Sequence, residues 1–169
     1  MKKSNKIALS GIFTALCFIF LFIGSIFQTL DLSAAALGSI VIMVAYIELG
    51  LGYSLGVYAS ASILSLLLLP YKSPALVFAL FAGFYPILKV FLNKIKSIYI
   101  SYALRILCFN LLLSLTVFIA TKLLSIEAEY LAFEIILFGL CNVTFIVYDL
   151  ALERLAIYYI NRIKPKLFK

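Results

Sequence analysis

From Leu32 to Leu69 the chain runs for 38 residues with a single charge, Glu48. As one helix that stretch would measure about 57 Å, against a bilayer hydrocarbon core of about 30 Å. It must therefore fold back as two apolar helices. The reversal is expected at Gly50-Leu51-Gly52, beside Glu48, where two glycines permit a tight turn. The rest of the chain is written in the same way. Hydrophobic residues make up 66% of it and charged residues 12%, whereas a soluble domain is about 45–50% apolar and about 25% charged.

The pattern predicts an all-α polytopic membrane protein, a single integral membrane domain over residues 1–169. It is expected to be a bundle of six transmembrane helices at about 7–30, 32–49, 51–69, 75–92, 98–124 and 131–150. Six spans consume about 120 residues and leave only short connections, so no separate catalytic or nucleotide-binding domain fits. The first apolar run extends too far for a signal-peptide core and is read as a retained span. Pro70-Tyr71-Lys72-Ser73-Pro74 marks a turn, and Pro86 is expected to kink the last third of the fourth span. With six spans, twelve of the 14 lysines and arginines fall on the side of the termini and only Lys72 and Lys122 on the other. That bias predicts that both termini are cytoplasmic.

Composition also narrows the chemistry. Histidine is absent, which removes the usual proton relay, metal ligand and nucleophile-activating base. Cys17, Cys108 and Cys141 sit alone in apolar runs and form no metal or redox motif. No metal, cofactor or enzymatic site is expected. The net charge of +7 flanks the spans, so it points to the lipid surface rather than to nucleic acid.

The polar residues within the spans fall into two sets. Gln28, Thr29 and Asp31 lie at the turn between the first two spans, Glu134 about one turn into the sixth, and Asn110 and Asn142 near the middle of the fifth and sixth. An amide at the midplane is expensive unless paired. Asn110 and Asn142 therefore either tie two helices together or line a small-solute pocket whose rim carries Gln28, Asp31 and Glu134. Toward the cytoplasmic side lie Glu48, Lys89, Arg105, Asp149, Glu153 and Arg154, where Glu48 and Asp149 are expected to pair with Lys89 and Arg105. They form either a structural ion-pair layer or a gate or partner contact.

Small residues mark two further faces. Ala8, Gly11 and Ala15 recur at spacings of three and four in the first span, and Gly52, Gly56 and Ser60 share one face of the third. Such spacing lets helices approach closely, either inside the bundle or against a partner. With this small face, six spans and a basic N-terminal segment running straight into the first span, the chain resembles the substrate-capturing S component of energy-coupling-factor (ECF) vitamin and micronutrient importers. The resemblance implies a bacterial plasma membrane, a small-molecule solute bound toward the outside, and contact of Ala8, Gly11 and Ala15 with a transmembrane coupling subunit driven by cytoplasmic ATPases. The first motif here is Gly-x-x-x-Ala rather than two alanines, and the first loop is short for a lid. Size and span number also resemble the small membrane proteins that determine rod shape, so a structural envelope scaffold is the alternative.

Overall fold

The computed structural model describes residues 3–93, 98–123 and 131–167, with side chains at residues 3–27, 29–93, 99–115, 138–162, 164 and 165. The described chain is all-helical. Helix α1 spans Lys3–Ile26, and a single 3₁₀ turn at Gln28–Leu30 leads into α2, Asp31–Leu49. Next come α3 (Leu51–Leu68), α4 (Ser73–Val77) and α5 (Tyr85–Leu92), then α6 (Ile98–Leu123), α7 (Leu131–Tyr158) and a short α8 (Lys164–Leu167). Among the described residues, four helical stretches, Lys3–Ile26, Asp31–Leu49, Leu51–Leu68 and Ser73–Leu92, are long and apolar enough to cross a membrane.

The long apolar run does reverse, but on one glycine rather than two. Gly50 adopts φ 86°, a left-handed conformation that favours glycine, and its N–H donates to the Tyr46 carbonyl at 3.0 Å. Gly52 is already inside α3.

The fourth stretch breaks upstream of Pro86 instead of kinking at it. A proline ring would press on the carbonyl four residues earlier, here that of Ala82. The helix widens into a π turn at Phe78–Ala82, where the Gly83 N–H donates to the Phe78 carbonyl at 2.8 Å. Helix α5 then starts afresh with Pro86 in its first turn. The π turn takes from Ala79 the N–H its carbonyl would have received in an α-helix. The Tyr58 hydroxyl of α3 donates to that carbonyl instead, at 2.5 Å.

Two clusters of buried side chains hold the helices together. Cys17, Leu21, Ile42, Val57, Ala61 and Phe78 join α1–α3 to the fourth stretch. Met43, Tyr85, Phe109, Phe145 and Leu152 join α2 and α5 to α6 and α7. In the second cluster Phe109 and Phe145 stack with centroids 4.3 Å apart, and Phe81 meets their edges at 5.2 and 5.8 Å. The outside is apolar: Leu67 is 73% exposed and Leu111 62%. In water such a surface would drive association, whereas hydrocarbon solvates it.

Candidate functional site

The geometry divides the glycines into two kinds. A methyl at Gly38 would lie 2.9 Å from Phe78 Cε2, and one at Gly83 would lie 2.7 Å from the Tyr58 ring. These glycines exist so that rings can sit against backbone. At Gly11, Gly52 and Gly56 a methyl would meet nothing within 4 Å among the described residues. Their small faces are therefore not spent on packing inside the bundle.

Those faces meet instead as the two walls of an open groove between α1 and α3. It encloses about 610 Å³ and is lined from α1 by Ile7, Ser10, Gly11, Thr14, Ala15 and Phe18, and from α3 by Gly52, Tyr53, Gly56, Val57, Ser60 and Leu64. Gly11 and Ala15 thus lie in it, while Ala8 is exposed on α1 outside the lining. The α1 hydroxyls are turned back on their own helix. Ser10 Oγ donates to the Lys6 carbonyl at 2.8 Å and Thr14 Oγ1 to the Ser10 carbonyl at 2.9 Å. At the N-terminal mouth, Lys6 Nζ sits 5.7 Å from the centre of the Tyr53 ring, a cation–π approach. Nothing in the sequence distinguishes Lys6 and Tyr53 from other interfacial residues; only the α1–α3 packing brings them together.

Asn110 and Asn142 are brought face to face. Asn110 Nδ2 donates to Asn142 Oδ1 at 2.9 Å, and Asn142 Nδ2 donates to Asn110 Oδ1 at 3.0 Å. The second N–H of each amide goes to its own helix, to the carbonyls of Ile106 and Phe138, at 2.9 Å in both cases. The pair is a closed clasp between α6 and α7.

Near the start of α2, Asp31 keeps one carboxylate oxygen, Oδ1, buried with no partner among the described residues. Beside this end of the bundle, Ser25 Oγ donates to the Tyr71 carbonyl at 3.0 Å and accepts the Tyr71 N–H at 2.9 Å. Thr29 is exposed. The side chains of Gln28 and Glu134 lie outside the described residues.

The expected ion-pair layer divides differently from the sequence reading. Asp149 takes both buried cations: Lys89 Nζ at 2.7 Å from Oδ1 and Arg105 Nη1 at 2.9 Å from Oδ2. The Tyr85 hydroxyl donates to the same carboxylate at 2.5 Å, and Lys89 also reaches Glu153 at 3.5 Å. Arg105 Nη2 donates to Asn93 Oδ1, and its guanidinium lies 4.7 Å from the Tyr102 ring centre. Glu48 does not join them. It pairs with Lys164 at 3.5 Å and accepts from the Tyr159 hydroxyl at 3.3 Å. Burial first, and then the Glu48 carboxylate, push the Tyr159 phenol up to about 12, so it remains a neutral donor. Charge spacing cannot assign these partners, because Lys164 approaches Glu48 only after the second π turn, Tyr159–Ile163, redirects the chain beyond α7.

No protein-family model, curated protein or solved structure matches this chain.

Proposed function

We propose that this chain is the membrane-embedded, solute-binding subunit of an energy-coupling-factor type importer for a vitamin or other small micronutrient. In this reading it crosses a bacterial plasma membrane six times with both termini in the cytoplasm. A transmembrane coupling subunit docks in the α1–α3 groove, and cytoplasmic ATPases supply the energy. The observation that carries the reading is the open groove: among the described residues nothing lies within 4 Å of a methyl placed on Gly11, Gly52 or Gly56. Small faces of this kind let a second helix approach closely inside a membrane. Of the residues assigned to the solute, Asp31 has the clearest support, since its buried oxygen needs a donor. Gln28 and Glu134 complete the proposed rim, with Asn110 and Asn142 as its floor.

The closed Asn110–Asn142 clasp favours a second reading, a structural envelope scaffold that binds partners and no solute. Purification of the tagged chain from native membranes separates the two. The importer reading expects a coupling subunit and two ATPases to co-purify, and Gly11→Leu or Ala15→Leu to release them with the thermal unfolding of the chain unchanged. If both variants retain the complex, the docking face is elsewhere. A wild-type complex of envelope-assembly proteins without ATPases supports the scaffold.

A further inference from the structure

The groove has a shape and a charge that a partner helix alone does not account for. From Ile7 to Phe18 along α1 it runs for twelve residues, and from Gly52 to Leu64 along α3 for thirteen. That is about 18 Å of helix, close to the roughly 15 Å of one leaflet and well short of the whole hydrocarbon core. Its volume of about 610 Å³ falls within the usual range for a bound small molecule, about 300–1,000 Å³. Along its length the walls are mostly aliphatic, aromatic or bare backbone; the Ser10 and Thr14 hydroxyls are spent on their own helix, and Ser60 and Tyr53 add one hydroxyl each from α3. At the mouth stands Lys6, which has no ion-pair partner among the described residues, and no carboxylate lines the groove. A hydrocarbon slot one leaflet deep with a cation at its interfacial end matches an acyl chain below an anionic headgroup.

We infer that the free chain holds one anionic phospholipid of the inner leaflet in the α1–α3 groove. One acyl chain lies over Gly11, Ala15, Gly52 and Gly56, and a phosphate oxygen accepts from Lys6 Nζ. A docking partner must displace this lipid. The inference rests on the membrane placement and orientation proposed above. The lipid assay contains no partner, so lipid binding and docking can fail independently.

The test is native mass spectrometry of the full chain in detergent, incubated with equal amounts of phosphatidylglycerol and phosphatidylcholine. The wild-type chain is expected to retain one phosphatidylglycerol in preference. Lys6→Gln lowers that preference about fivefold, as expected for one interfacial cation. Gly56→Leu removes the adduct while the unfolding temperature holds, and Lys72→Gln, at the opposite end of the bundle, leaves the pattern unchanged. Equal retention of the two lipids overturns the inference, as does a preference that survives Lys6→Gln. An adduct that persists in Gly56→Leu places the lipid elsewhere and also overturns it. A lipid-free dimer would assign the groove to a second copy of the chain, with the same consequence.

Discussion

Asp149 shows how a carboxylate persists inside an apolar bundle. Lys89, Arg105 and Tyr85 all point donors at it, and it is 3% exposed. Removing one member of a buried pair costs far more than the pair itself contributes, because the surviving charge is stranded. Asp149→Asn strands two cations and is expected to destabilise the chain by about 3–5 kcal/mol, read as a drop in detergent-solubilised unfolding stability. Tyr85→Phe removes one hydrogen bond to a charged group and should lose about 1.5–3 kcal/mol. If Asp149→Asn proves neutral, the cluster is solvated and the buried arrangement is wrong. The glycines give a second residue-scale contrast. Gly83→Ala drives a methyl into the Tyr58 and Phe78 rings and should cost about 1–3 kcal/mol. Gly56→Ala meets nothing and should be neutral or stabilising by up to about 1 kcal/mol through helix propensity. Equal effects at the two positions would erase the distinction between packing and open glycines.

At the scale of the element, much of the helical layout is legible in the sequence. Apolar runs and punctuation place α2 and α3 to within a residue, because Gly50 and the Pro70–Pro74 turn are local signals. The amides are legible in part: the sequence leaves Asn110 and Asn142 either tied to each other or lining a pocket, and the geometry pairs them. A double-mutant cycle of Asn110→Leu and Asn142→Leu should return a coupling of about 0.6–2 kcal/mol; additive losses would mean the clasp does not form. The π turn is not legible. Its cause, Pro86, is visible, but the relief falls four to eight residues upstream and depends on Tyr58 of another helix to satisfy the Ala79 carbonyl. Tyr58→Phe should therefore destabilise by about 1–3 kcal/mol, measured in the same unfolding assay. The division of small residues into packed and open faces is hidden for the same reason. Gly38 and Gly56 look alike in sequence, and only the neighbouring helix decides which of them meets a ring.

At the scale of the whole molecule, basic residues at the ends of apolar helices bias orientation. Lys3 is expected inside and Lys72 outside. In intact cells, with the three native cysteines replaced, Lys72→Cys should react with a membrane-impermeant maleimide and Lys3→Cys should not; the reverse pattern would invert the chain. An exterior of exposed leucine, isoleucine and phenylalanine suits lipid, and at the groove that exterior opens to bare backbone. In the proposed function this opening receives another protein. A photo-reactive residue placed at Ala15 in native membranes tests it most directly, with Gly38 as the buried control. Position 15 is expected to cross-link to a second membrane polypeptide and position 38 only within its own chain. A position 15 that yields no polypeptide adduct, while the labelled chain remains folded, would contradict it.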